Sequence, residues 1–267
     1  MNNEFTQEQL KGFSMAKWCD LTGRVAVVTG GATGLGLAIT RCLIGAGARV
    51  AVLGSRPAEQ AAEPLREFGD SAVYYQYDVT QTEGAGAIAE RIIADMGRVD
   101  ILVNNAGNHC KKFAWDMTVE DYEAVLDVHL VGAFALTKAF IPHMKQNGRG
   151  RILFQASMTS YIGMPMVAGY STAKAGVLGL VHALTADLAE FGITVNAIAP
   201  GWINTPMFHK ATDSDPVRRN KILGRIPARA VGDPMDVGMC AAFLASDAAR
   251  YITGACIPVD GGGLIGF

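Results

Sequence analysis

Tyr170 and Lys174 stand four residues apart in an Ala- and Leu-rich stretch that reads as a helix, and Ser157 precedes Tyr170 by thirteen. On a helix that spacing puts both side chains on one face, one turn apart. A cation beside a phenol favours the tyrosinate and lowers the tyrosine pKa from its usual value of about 10. A tyrosine tuned in this way exchanges a proton near neutral pH. Ser157 follows the apolar run 151–156, which reads as a buried strand, so its hydroxyl sits at the mouth of that strand. The three residues predict proton-transfer chemistry there. Alone, a Tyr-x-x-x-Lys pair is more often an ordinary feature of a helix surface, so the elements around it decide.

Those elements alternate regularly. Residues 24–29, 49–53, 72–77, 100–103, 151–156, 194–199 and 255–259 are short, continuous, largely apolar runs of the kind that form strands buried on both faces. Between them, helices are predicted over 37–46, 58–68, 83–96, 118–145, 168–191 and 233–245. Pro57 suits the first turn of one; Thr118 caps another, with acids in its first turn and Pro142 as a possible kink. The alternation is the signature of a parallel α/β sheet covered on both faces. Residues 1–22 read as an N-terminal extension holding one short helix, and 23–267 as one domain without a linker. The stretch 207–229 is polar and weakly periodic, and reads as a surface excursion of the kind that forms lids.

The chain has 267 residues, 50% of them apolar and 18% charged, with a net charge of −2. The absence of a charge excess argues against nucleic acid or an anionic membrane as the main partner. No secretory signal opens the sequence, and no run of about 18 uncharged apolar residues suggests a span. Five scattered cysteines without a Cys-x-x-Cys pair fit a reduced, cytoplasmic protein, and the five histidines show no metal-ligand spacing.

Gly30-Gly-Ala-Thr-Gly34-Leu-Gly36 lies between the first strand and its helix. Glycines there allow a tight turn and a close backbone approach, and the helix start offers free N–H groups to a phosphate. A glycine-rich turn that binds nothing is the alternative, which the strand-then-helix position disfavours. The loop lacks the Gly-Lys-Ser/Thr ending of an ATP-binding P-loop. Taken with Asn104-Asn-Ala-Gly107, Ser157, Tyr170-x-x-x-Lys174 and Pro200-Gly201, it resembles the short-chain dehydrogenase/reductase family, over roughly residues 20–263. The resemblance implies a single Rossmann-type doubly wound domain with a seven-stranded parallel sheet, a nicotinamide cofactor and a homotetramer. It implies Tyr170 as general acid/base, Ser157 on the substrate oxygen, and Lys174 lowering the tyrosine pKa and holding the nicotinamide ribose. The implied cofactor contacts run from Gly30, Thr33, Gly34, Leu35 and Gly36 through Asp78 (against adenine) and Val79. They continue through Asn104, Asn105, Ala106 and Gly107 to Pro200, Gly201, Ile203 and Thr205, the last on the carboxamide.

One position departs from the family pattern. His129 stands in the long helix where the family places an asparagine that fixes a relay water. Histidine also donates and accepts, and is expected to substitute there as a fourth catalytic residue. A shifted pH optimum and lost catalysis are the other readings.

Cofactor choice rests on the end of the second strand, where NAD enzymes place an acid. Here the sequence is Gly54-Ser55-Arg56, and Ser55 with Arg56 suits a 2′-phosphate, so NADP is favoured over NAD. Lys111 and Lys112 follow the Asn-Asn-Ala-Gly turn, where they either draw in a substrate carboxylate or stay solvated. The pair resembles that of gluconate 5-dehydrogenase and 2-deoxy-gluconate 3-dehydrogenase members of the family. The expected activity is NAD(P)-dependent interconversion of a secondary alcohol and a ketone on a sugar acid or polyol. A 3-oxoacyl-acyl-carrier-protein reductase is the rival enzyme, and a non-catalytic NADP(H) sensor the rival from another class.

Overall fold

The apolar runs pair as seven parallel strands in the order β3-β2-β1-β4-β5-β6-β7. They are β1 Val25–Thr29, β2 Arg49–Gly54, β3 Ala72–Gln76, β4 Ile101–Asn104, β5 Gly150–Gln155, β6 Ile193–Pro200 and β7 Cys256–Val259. The computed structural model that carries them describes residues 14–266. Successive side chains leave a strand on opposite faces. Val25 and Val27 therefore enter one core with Phe140, Val181 and Leu184, while Ala26 and Val28 enter the other with Ile39, Leu43 and Leu244. Helices cover both faces, which is the Rossmann-type doubly wound arrangement that the resemblance implies.

The helices are α1 Met15–Trp18, α2 Gly34–Gly45, α3 Ala58–Leu65, α4 Ala85–Met96, α5 Val119–Leu126, α6 Ala133–Gln146, α7 Ala168–Leu188, α8 Pro206–Thr212, α9 Pro216–Arg225 and α10 Pro234–Ala245. α1 lies in the predicted extension, whose first thirteen residues are outside the described ones. On the second face α2 and α10 approach so closely that a Cβ on Gly238 would sit 2.6 Å from the Ala38 carbonyl oxygen.

Three expectations change. The predicted helix 58–68 stops at Leu65 and gives way to 3-10 turns over Arg66–Ser71, with Gly69 at φ +50°. The long helix does run from Thr118, whose hydroxyl and Asp121 form a reciprocal capping box, but it is α-helical only to Leu126. Residues Asp127–Gly132 form a π turn before α6, and Pro142 is accommodated inside α6. The stretch 207–229 holds α8 and α9 rather than an irregular loop. Thr205 and Asp215 cap them, with Pro206 and Pro216 at their first positions. α9 buries none of its residues, so it does lie on the surface.

The continuous helical stretch Val119–Gln146 is long and apolar enough to cross a membrane by length and composition. It packs along the sheet instead, through Leu136, Phe140 and Met144. At the opposite, amino-terminal edge of the sheet, the buried Asp100 carboxylate accepts from the Val25 amide (3.0 Å), Arg98 Nε (2.8 Å) and Arg24 (3.4 Å). Beside it Asp247 pairs with Arg149 and Arg151.

Candidate active site

β5 delivers Ser157 to the carboxyl edge of the sheet, where it caps a single 3-10 turn. Thr159 N–H donates to Ser157 Oγ (3.1 Å), and Ser157 N–H donates to Ser160 Oγ (3.3 Å). The Ser160 hydroxyl donates onward to the main-chain oxygen of Lys174 in α7 (2.7 Å). Ser160, which the sequence reading passed over, thus fixes the end of β5 against the helix carrying Tyr170. The Ser157 hydroxyl lies close enough to Tyr170 to oppose the rise that burial causes in the tyrosine pKa, so all three expected residues meet.

Lys174 Nζ lies 5.5 Å from the centre of the Tyr170 ring, as a spacing of four on one helix face requires. The expected electrostatics do not follow. The Lys174 ammonium, 4% exposed, donates to the main-chain oxygen of Gln155. Burial pulls the Lys174 pKa down to about 7. Burial pushes Tyr170 above the usual phenol range, and the opposing influence is the Ser157 hydroxyl. Tyr170 is therefore a phenol at neutral pH.

His129 comes from the π turn, 5% exposed, with its ring edge-on to Tyr170 at 5.3 Å between centroids. Its Nε2 lies 3.0 Å from the Asn108 main-chain oxygen and 3.3 Å from the Asn108 amide nitrogen, so the tautomer sets whether Nε2 donates to the one or accepts from the other, with Nδ1 in the complementary role. Nδ1 is buried and has no hydrogen-bond partner among the described residues. Burial first, and then the charge of Lys174, push the His129 pKa down to about 3. His129 is neutral throughout the physiological range, which removes a shifted pH optimum through its own titration. A cavity of about 10 Å³ lies among His129, Lys174, Asn104 and Gln155. The helix passes so close to residue 79 that a Cβ on Gly132 would sit 2.4 Å from the Val79 oxygen.

A cleft of about 600 Å³ runs along the carboxyl ends of β1, β2 and β4. Of the expected cofactor residues, Gly30, Thr33, Ser55, Arg56, Asp78, Val79, Ala106 and Gly107 line it. Gly34, Leu35 and Gly36 form the first turn of α2, whose cap Thr33 makes no side-chain bond to it. A Cβ on Gly36 would fall 2.1 Å from the Gly30 oxygen, so the loop closes onto the helix only with glycine there. Asn104 and Asn105 are not among the residues lining this cleft. Buried Asn104 donates to Thr137 Oγ1 (2.9 Å), and Asn105 Nδ2 donates to the Thr29 oxygen (2.8 Å). Thr29 Oγ1 in turn accepts from the amides of Asn105 (2.9 Å) and Ala106 (2.8 Å). Pro200 ends β6, and Gly201, Ile203 and Thr205 follow it outside this cleft; Thr205 caps α8. The residues fit a dinucleotide: the volume is that of a ligand cleft, a helix start is open to a phosphate, and Arg56 offers a cation.

On the substrate side the lysines part company. Lys112 pairs with Asp121, the capping acid of α5. Lys111 is exposed, and its charge helps lower the pKa of His109, after burial. His109 is the residue that spacing did not single out. Its ring lies over Tyr170, 4.3 Å between centroids.

A family profile described as Enoyl-(Acyl carrier protein) reductase matches residues 30–263. The 3-oxoacyl-acyl-carrier-protein reductase FabG of Vibrio cholerae is 36% identical, covering 91% of this chain and 98% of its own. An acetoacetyl-CoA reductase of Rhizobium meliloti is 40% identical over 90% of this chain and 98% of its own. Among solved structures, a gluconate 5-dehydrogenase from Burkholderia cenocepacia in complex with NADP and tartrate superposes with a TM-score of 0.88. It is 32% identical, with 93% of this chain and 98% of that one covered.

Proposed function

The chain belongs to the short-chain dehydrogenase/reductase family of nicotinamide-dependent oxidoreductases, and from that premise we propose that it interconverts a secondary alcohol and a ketone on a sugar acid or polyol. The observation that carries the proposal is the meeting of Ser157, Tyr170 and Lys174 beside a dinucleotide-sized cleft. A dinucleotide bound there supplies or takes up the hydride at the carbinol carbon. Ser157 holds the substrate oxygen. Tyr170, a phenol at neutral pH, gives that oxygen its proton during ketone reduction and takes it back during alcohol oxidation. Lys174 keeps the end of β5 in place through the Gln155 carbonyl and passes protons beyond the tyrosine. The cavity lined by Lys174 and His129 has room for about one water, and the His129 ring, whose Nδ1 is buried, takes the place of the family's asparagine there.

Ser55 and Arg56 in the cleft support NADP over NAD. A sugar acid is supported by exposed Lys111 near His109 and by the relative that holds NADP and tartrate. The FabG and acetoacetyl-CoA reductase relatives favour a second reading, reduction of a 3-oxoacyl thioester. Exposed Val131 and Phe134 on the long helix support a homotetramer, which sedimentation would check, and five free cysteines support a cytoplasmic location.

The test is a spectrophotometric screen of sugar acids, polyols and acetoacetyl thioesters with NADPH and NADH, run on the wild type and on Tyr170→Phe. Turnover of a sugar acid that falls by about 10² to 10⁴ in Tyr170→Phe, with dinucleotide affinity retained, supports the proposal. Thioester turnover alone favours the second reading, and full activity in Tyr170→Phe sinks the mechanism.

A further inference from the structure

β3 lies beside β2 with Val52 opposite Tyr74 and Gly54 opposite Gln76. From that register two β3 side chains reach over the end of β2. The Tyr74 hydroxyl oxygen lies 2.8 Å from the Gly54 carbonyl oxygen and 2.6 Å from that of Arg56. Gln76 Nε2 donates to the carbonyl oxygen between them, that of Ser55, at 3.5 Å. Three successive carbonyls are thus held from one side. Ser55, Arg56 and Tyr74 all line the dinucleotide-sized cleft.

Gly54 is the last residue of β2, where a dinucleotide fold that prefers NAD places its acid. A Cβ at Gly54 would sit 2.9 Å from the Tyr74 hydroxyl oxygen and 3.3 Å from its ring. Any side chain there displaces the phenol from its two carbonyls. Tyr74 and Gly54 therefore require each other: the phenol fills the place of the acid and fastens the turn that carries the arginine.

We propose that Tyr74 is a positioning residue for cofactor specificity, holding the Ser55–Arg56 turn so that both side chains meet the 2′-phosphate of NADP. This rests on the reading that the cleft takes NADP in preference to NAD. The hydroxyl shares one proton between two carbonyls, so it acts by fixing the turn and touches no reacting atom. The charge of Arg56 is close enough to lower the Tyr74 pKa against the rise that burial causes, which places the guanidinium near the phenol.

The experiment is a fluorescence titration of the purified chain with NADPH and NADH, without substrate, on wild type, Tyr74→Phe, Gly54→Ala and Arg56→Ala. Tyr74→Phe keeps the ring and removes the two contacts. Its NADPH dissociation constant is expected to rise roughly tenfold, about 1.4 kcal/mol, with NADH changed less than about twofold. Gly54→Ala should reproduce this ratio, and Tyr74→Phe should add little in an Arg56→Ala background. A wild-type preference for NADPH that persists in Tyr74→Phe overturns the role of Tyr74 alone. Equal weakening of both dinucleotides overturns it too, since that reports a loosened fold. A wild type that binds both dinucleotides alike overturns the cofactor reading and this inference with it.

Discussion

Replacing Gly107 with alanine puts a Cβ 2.5 Å from His129 Cε1, 3.3 Å from Nε2 and 3.4 Å from Nδ1. The backbone tolerates the change, because Gly107 is absent from the positive-φ residues. The imidazole has little room to retreat: it is 5% exposed, held by the Asn108 carbonyl and packed edge-on against Tyr170. Overpacking of this kind costs about 1–3 kcal/mol. A loss of about 2 kcal/mol lowers Tm by roughly 4–8 °C in a domain of this size. Urea titrations of wild type, Gly107→Ala, His129→Ala and the double variant, all without cofactor, measure the clash directly. Gly107→Ala should cost about 2 kcal/mol in the wild type and under about 0.5 kcal/mol in His129→Ala, a coupling of roughly 1.5 kcal/mol. Equal costs in both backgrounds would refute the view that His129 is what requires glycine at 107.

Lys174 carries a pH signature. Its folded pKa of about 7 is below the ordinary lysine value of 10.5, so between these limits the unfolded chain binds more protons and stability rises with pH. The burial cost is fully present below about pH 7. Lys174→Met should therefore be more stable than wild type at pH 7, by an amount that shrinks toward pH 10, as urea midpoints across that range will record. Asp100→Ala strips a carboxylate that serves one amide and two arginines. It should cost about 3–5 kcal/mol in the same assay, with little change in dinucleotide affinity. Because Tyr170 is held above the usual phenol range, alcohol oxidation should accelerate through the alkaline range while ketone reduction is favoured near neutrality, which initial rates against pH will test.

The strands were legible because continuous apolar runs such as Val25–Val28 are buried on both faces, a pattern few other elements produce. Thr118 and Asp121 announced the start of α5 for the equally local reason that a capping box spans only four residues. α9 escaped notice because a helix that buries none of its residues needs no apolar stripe, leaving only its cap Asp215 and Pro216 as signals. Spacing put Tyr170 and Lys174 on one face but carried no information on where the ammonium points. The Gln155 carbonyl that receives it comes from another element. Lys112 looked free because its partner Asp121 lies nine positions away across a loop. The contacts of His109 with the Tyr170 ring and of Tyr74 with two carbonyls at the end of β2 are made only in the folded chain.

The π turn at Asp127–Gly132 also sets the rotational phase of everything after it. It inserts residues without completing α-helical turns, so α5 and α6 present their apolar stripes in different phases on one continuous rod. Deleting a single residue from it would turn α6 by about 100° about its axis. Leu136, Phe140 and Met144 would then rotate off the sheet, and the imidazole beside Tyr170 would swing away with the lost turn. The length of this segment is consequently under a double constraint, from the core on one side and the His129–Tyr170 ring contact on the other. Substitutions in it are expected to be tolerated more readily than insertions or deletions.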